Sequence, residues 1–222
     1  VITETKLDAS FPTCQFLIQG FDSPFRVDRN AHDGGILVYI RENITARLLK
    51  IHTDIECISF EINHRNRKWL VCAAYNPHKS ESQTFFNHLS SYIDSIQSIY
   101  ENILVIGDLN TEDTEISMKD FLLYFDMDNL VKEPTCFKNP LNPSCIDLFI
   151  TNRKTYFQNT TVVETGISDF HKLIITVLKA QYVKLKPKVI CYRDYKRLDY
   201  YRFTSDLEIA LNKKPRSEIN YL

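Results

Sequence analysis

Over the first 178 residues, β-branched and aromatic side chains fall in short runs separated by polar turns, a pattern of strands rather than long helices. The runs predict strands at residues 35–40, 55–62, 68–75, 103–106, 146–150, 160–163 and 173–178. Helical spacing interrupts them twice. Ser80-Glu81-Ser82-Gln83 has the form of a capping box, and Phe85, Leu89, Tyr92 or Ile93, Ile96 and Ile99 then recur on one face. A shorter helix is expected from about Ser117, carrying Phe121, Leu122, Tyr124 and Phe125, and a third near residues 205–212. Strands with a few well-separated helices predict a mixed α/β domain of packed sheets covered by helices, ending near Ala180.

Composition narrows the class. In 222 residues, 44% hydrophobic and 25% charged content suits one globular core rather than a disordered tail, and 5 Gly leave little for linkers. The apolar runs at 103–106 and 173–178 are far shorter than the roughly 18–20 residues of a membrane helix, so no membrane partner is expected. The opening VITETKLDAS lacks the basic and apolar regions of a secretory signal, and an intracellular location, cytoplasm and nucleus, is the expectation. Six scattered cysteines at no zinc-ligand spacing read as reduced, mostly structural thiols.

The net charge of −1 hides an asymmetry. Residues 179–202 hold eight Lys/Arg against two acids, whereas residues 1–178 hold 16 basic and 23 acidic residues. Interleaved with Tyr182, Tyr192, Tyr195, Tyr200 and Tyr201, the basic stretch suits a polyanion; a solvated linker is the plainer alternative.

Three segments carry candidate chemistry. Ile103 to Ile106 runs into Gly107-Asp108-Leu109-Asn110, so a buried strand ends on a carboxylate and an amide that point the same way. An Asp-x-Asn turn is also a common loop. Asp147 interrupts the otherwise apolar Cys145-Ile146-Asp147-Leu148-Phe149-Ile150, and a buried carboxylate needs a cation, a histidine or several donors. Ser168-Asp169-Phe170-His171 stands before the last apolar strand. Together, Asp108, Asn110, Asp147, Asp169 and His171 form a kit for a hard divalent cation and a proton shuttle, with oxygen ligands favouring Mg²⁺ or Mn²⁺. Glu4 and Tyr75 complete the set, although alone each reads as a surface acid and a packing residue.

In order, Glu4-Thr-Lys-Leu, Gly34-Gly35-Ile-Leu-Val-Tyr-Ile, Ala74-Tyr75-Asn76-Pro77, Gly107-Asp108-Leu109-Asn110, Pro134-Thr135, the Asp147 segment through Asn152 and Ser168-Asp169-Phe170-His171 resemble the endonuclease/exonuclease/phosphatase superfamily. The resemblance is closest to the endonuclease domain of LINE-type non-LTR retrotransposon polyproteins and covers residues 1 to about 180. It implies a four-layer α/β sandwich, two packed, mostly antiparallel sheets flanked by helices. It further implies a Mg²⁺-dependent endonuclease that nicks target DNA and leaves a 3′ hydroxyl to prime reverse transcription. Glu4 would hold the metal, assisted through water by Asp169. Asp108 would orient or deprotonate the attacking water, Asn110 and Tyr75 would bind the scissile phosphate, and His171, its ring fixed by Asp147, would stabilise the developing charge.

Two departures from the family pattern bear on this expectation. The family's upstream strand with its phosphate- or metal-binding Asn has no counterpart before Glu4, so the domain reads as N-terminally truncated. Phe170 also separates Asp169 from His171, which are usually adjacent. Residues 181–222 resemble the basic connector towards a reverse transcriptase, the implied partner besides DNA, although no reverse transcriptase motif occurs in these residues. The competing readings are a phosphomonoesterase of the same superfamily, revealed by phosphate release without nicking, and an inactive fragment that only binds nucleic acid.

Overall fold

The computed structural model describes residues 1–64, 66–179 and 198–213. The chain divides into two compact units, Val1–Ala180 and Gln181–Leu222. The first contains β1 (Ile2–Thr3), β2 (Phe25–Val27), β3 (Ile36–Val38), β4 (Thr45–Ile51), β5 (Glu56–His64) and β6 (Arg67–Tyr75), then α1 (Ser82–Ile96) and β7 (Asn102–Asp108). It continues with α2 (Ile116–Tyr124), β8 (Asp128–Asn129), β9 (Asp147–Thr151), β10 (Phe157–Val163) and β11 (Leu173–Leu178). Within the second unit, α3 (Tyr200–Lys213) is the described helix. Most of the basic stretch, with Tyr182, Tyr192 and Tyr195, lies outside the described residues.

A six-stranded sheet, in order β4-β5-β6-β7-β9-β8, forms the centre of the first unit. Its one parallel pairing, β6 with β7, needs a long crossover, and α1 provides it. Side-chain alternation then separates two cores. On one face Leu70, Cys72 and Ala74 of β6, Ile103 and Val105 of β7, and Leu148 and Ile150 of β9 meet Phe85, Phe86, Leu89 and Ile93 of α1 and Met118 and Phe121 of α2. On the other, Ile58, Phe60, Trp69, Val71, Ala73 and Leu104 meet Ile36 and Val38 of β3, together with Phe157 at the start of β10. Each buried Val, Leu, Ile, Phe or Met among these contributes about 1.5–3 kcal/mol. This second layer consists of a three-stranded sheet, β1-β3-β2, and the antiparallel pair β10-β11. The result is the expected mixed α/β sandwich with mostly antiparallel sheets.

Every predicted strand exists, the one at 173–178 with the predicted ends and the others with altered ends, but β1, β2, β4 and β8 escaped the pattern. Three of them have only two or three residues. The longer β4 is an edge strand whose exposed side chains, including Arg47 and Lys50, mask its pairing with β5, and its register shifts between Leu48 and Lys50. The capping box does not form: Ser80 lies in a 3₁₀ turn, α1 begins at Ser82, and its N-cap Glu81 makes no side-chain cap. Ile99 does not extend the apolar face of α1, because the helix ends at Ile96 and leaves Ile99 62% exposed.

Cys57, Cys72 and Cys136 are buried free thiols, whereas Cys14 is exposed. Among the described residues, no helix is long and apolar enough to cross a membrane.

Candidate active site

The same alternation that builds the second core carries Tyr75, Asp108 and Asp147 to one sheet face, at neighbouring strand ends. Asp108 and Asp147 are direct cross-strand partners, so two carboxylates face each other in a nearly buried position. Like charges directly opposite destabilise a sheet, and the arrangement is unlike one selected for stability. Gly107 makes this strand end possible. It has φ 145°, and a Cβ there would lie 1.9 Å from the Ala74 carbonyl oxygen, so only glycine lets β7 run this close to β6.

His171 joins the pair from the second layer. Its Nδ1 lies 2.9 Å from Asp147 Oδ2, and ligand atoms of Asp108, Asp147 and His171 all lie within 4.8 Å of one another. Backbone contacts fix the approach. Cys136 bridges His171, the Phe137 N–H donates to the Phe170 carbonyl at 2.8 Å, and the Lys172 N–H donates to the Thr135 carbonyl at 2.9 Å. Thr135, fully buried, accepts the Asp147 N–H on its hydroxyl at 3.0 Å. Thr135 stood in a sequence motif without a role; its support of both halves of the site depends on folding and has no local signature.

Asn110 occupies a left-handed turn with φ 48°. Its N–H donates to Asp108 Oδ1 at 3.0 Å, and its Nδ2 donates to the Asn76 carbonyl at 2.8 Å. Asn76 in turn donates its N–H to the Asp108 carbonyl at 2.9 Å and its side-chain amide to the Leu109 carbonyl at 3.0 Å. This buried asparagine, another residue without a role in the sequence reading, ties the end of β6 to the Asp108 turn. Tyr75 donates its hydroxyl to Glu4 Oε1 at 2.5 Å, which brings the N-terminal acid to the same edge. Asp169 behaves differently: it is exposed and stands outside the group of ligand atoms, so across the Phe170 insertion the fold directs His171, and not Asp169, at Asp147.

The electrostatics follow from this packing. Burial, then the facing Asp147 charge, pushes Asp108 up to about 7. The hydrogen bond to Asp147 raises the His171 imidazole above its ordinary value, against the burial that would lower it. Burial, then the Glu4 contact, drives the Tyr75 phenol upward, so it remains a protonated donor. A base tuned close to neutrality, a histidine held by a carboxylate and several oxygen donors can perform general acid–base chemistry around an anionic substrate.

Several solved structures share the architecture. The endonuclease domain of TRAS1, a telomere-specific non-LTR retrotransposon, superposes with a TM-score of 0.59 at 12% identity, covering 74% of this chain and 82% of that one. The 3′ phosphatase NExo from Neisseria, solved with product DNA hairpin, gives 0.58 at 12% identity over 80% and 87% of the two chains. This chain has the fold of the endonuclease/exonuclease/phosphatase superfamily. The human Nocturnin catalytic domain extends the comparison, with a TM-score of 0.53 at 14% identity over 78% of each chain. No family model and no curated protein sequence matches the chain.

Proposed function

We propose that residues 1–180 form a divalent-metal-dependent phosphodiesterase, an endonuclease domain of the non-LTR retrotransposon type that nicks DNA to leave a 3′ hydroxyl. The observation that carries this reading is the facing pair of Asp108 and Asp147 with His171 on the second carboxylate. Such a pair is costly without a function, and the retrotransposon endonuclease domain of like fold supplies the substrate class. Residues 181–222 would be the connector towards a reverse transcriptase.

The chain's own groups divide the work. Asp108, tuned to about 7, would orient or deprotonate the attacking water at neutral pH. Asn110 uses one amide hydrogen on the Asn76 carbonyl and has a second for a phosphate oxygen. Tyr75 would donate to the same phosphate on release from Glu4. His171, held through Nδ1 by Asp147, would present Nε2 to the equatorial oxygens, where charge builds in an in-line displacement.

Asp108, Asp147 and His171 offer ligand atoms within 4.8 Å of one another, and the carboxylate oxygens among them suit a hard cation; Glu4 stands outside that group and reaches its edge through Tyr75. Glu4 would hold Mg²⁺ or Mn²⁺, and exposed Asp169 would assist only through water. When bound, that ion would supply charge neutralisation on the phosphate.

The direct test is nicking of supercoiled plasmid with Mg²⁺ and with EDTA, followed by extension of the product by a polymerase. Metal-dependent nicks that a polymerase extends are expected. Inorganic phosphate release from phosphomonoesters without nicking would transfer the site to the phosphatase reading. Salt-sensitive DNA binding with neither activity would identify an inactive binding module.

A further inference from the structure

Glu56, the first residue of β5, is a largely buried carboxylate that the proposed chemistry does not use. Both its oxygens are engaged. Oε1 pairs with Arg29 Nη1 at 3.0 Å, and Oε2 accepts the Gly35 N–H at 2.9 Å. The clasped Gly34-Gly35 has no room for side chains. A Cβ on Gly34 would lie 2.4 Å from Arg29 Cδ and 3.0 Å from Glu56 Oε1, and one on Gly35 would lie 2.3 Å from Thr5 Oγ1.

The two glycines also receive the chain around Glu4. The Lys6 N–H donates to the Gly34 carbonyl at 2.9 Å, and the Thr5 N–H donates to the Gly35 carbonyl at 3.4 Å. That stretch is under unusual local stress. Glu4 and Lys6 have φ of 53° and 54°, a region that side-chain-bearing residues other than Asn and Asp seldom enter. Between them, Thr5 Oγ1 is buried without a hydrogen-bond partner among the described residues. Strain of this kind persists only where the surroundings over-determine it. Here those surroundings are the Gly34 and Gly35 carbonyls, and the groups that hold the two glycines are Glu56 and Arg29.

We propose that Glu56, fixed by Arg29, is a positioning residue: it locks Gly34-Gly35 so that their carbonyls hold Glu4 in its left-handed conformation, with the carboxylate turned to Tyr75 and to the metal. The inference rests on the metal-holding role proposed above for Glu4. It explains why Glu56, although the cross-strand partner of Tyr75, spends its carboxylate on Arg29 and the Gly35 N–H, and why the Gly34-Gly35 pair and the Glu4 segment act together.

The test uses the full chain, with Glu56→Ala and Glu56→Gln beside the wild type. Mn²⁺ affinity is read from the free-ion resonance in an electron paramagnetic titration, and amide hydrogen exchange is followed at Thr5 and Lys6. Glu56→Ala should weaken Mn²⁺ binding about tenfold, the range typical of supporting residues behind a metal ligand. Exchange at Thr5 and Lys6 should accelerate while amides in the middle of β5 and β6 keep their protection. Glu56→Gln retains an acceptor for Gly35 and should fall between the two; it carries the test if the alanine variant does not fold. Unchanged affinity and unchanged exchange in the variants overturn the proposal, as does a loss of protection spread evenly over β5 and β6. If the wild type binds no Mn²⁺ yet exchange at Thr5 and Lys6 responds to Glu56, the clasp stands and the metal-holding role of Glu4 is what fails.

Discussion

The central sheet carries a polar cluster on each face, and they are built on opposite principles. On the face towards the second layer, at the strand ends, Asp108, Asp147 and His171 bring two carboxylates into opposition. On the helical face, Ser59 accepts or donates at His52 Nε2 at 2.8 Å and lies 3.6 Å from Cys72 Sγ and 3.9 Å from Cys57 Sγ, while the His52 ring stands edge-on to Tyr92 at 4.4 Å. His52, Tyr92 and Cys57 are each steered to neutrality. Burial lowers His52 to about 4 and lifts Tyr92 to about 12, and the contact with Cys72, then burial, raises the Cys57 thiol. A polar cluster that serves the fold satisfies its members as neutral partners. One whose charges are left in conflict implies a task for which the conflict is needed.

Removing the conflict should therefore cost activity and not stability. Asp108→Ala should lower plasmid nicking by about 10³-fold or more, the scale of losing a group that acts only in the transition state. Its melting temperature should equal or exceed that of the wild type, because a buried like-charge contact disappears. A variant that nicks normally, or melts well below the wild type, would return Asp108 to the ordinary core. Asp147→Asn should lower nicking by about 10²-fold through loss of His171 orientation. By NMR titration the His171 pKa should drop, because Asp147 is the main cause of its elevation. A rate reduced without movement of that pKa would assign Asp147 another role.

The neutral cluster should respond in the reverse sense. Ser59→Ala leaves the His52 ring nitrogen unpartnered in the core and should cost about 1–3 kcal/mol in denaturant unfolding, with nicking unchanged. Loss of activity at preserved stability would show that the helical face takes part in the chemistry.

How much of this the sequence disclosed follows the range of the interactions. Gly107, Asp108, Asn110 and Asp147 were legible because each interrupts a run whose apolar pattern is local. The longer strands and α1 were legible for the same reason. That Asp108 faces Asp147 was not, since it depends on the register between β7 and β9, 39 positions apart in the chain. Thr135, Asn76 and Glu56 were missed alike: a buried threonine, asparagine or glutamate in a loop or at a strand start has no periodic signal, and its partners lie in other elements. The His52 cluster was also invisible, because His52 directly follows an edge strand whose charged residues hide it and Ser59 reads as one polar position in an apolar strand.

The smallest effect separates the two clusters most cleanly, because they pull stability in opposite directions over one pH window. His52 falls from an ordinary 6.5 to about 4 on folding, so between those values the unfolded chain binds a proton that the folded chain does not, and stability rises with pH. Asp108 rises from 3.8 to about 7, so the folded chain keeps a proton that the unfolded chain has lost, and stability falls as pH increases from about 4 to 7. The raised imidazole of His171 adds to the fall only above 6.5, where the unfolded histidine has lost its proton. In EDTA, melting profiles of Asp108→Asn minus wild type should slope upward between pH 4 and 6.5, and those of His52→Gln minus wild type should slope downward. Each slope is bounded by about 1.4 kcal/mol per pH unit for one proton, and burial that relaxes on protonation will reduce it. Two difference profiles of the same sign would mean that the clusters titrate alike, and the contrast between a neutral support and a held conflict would fail.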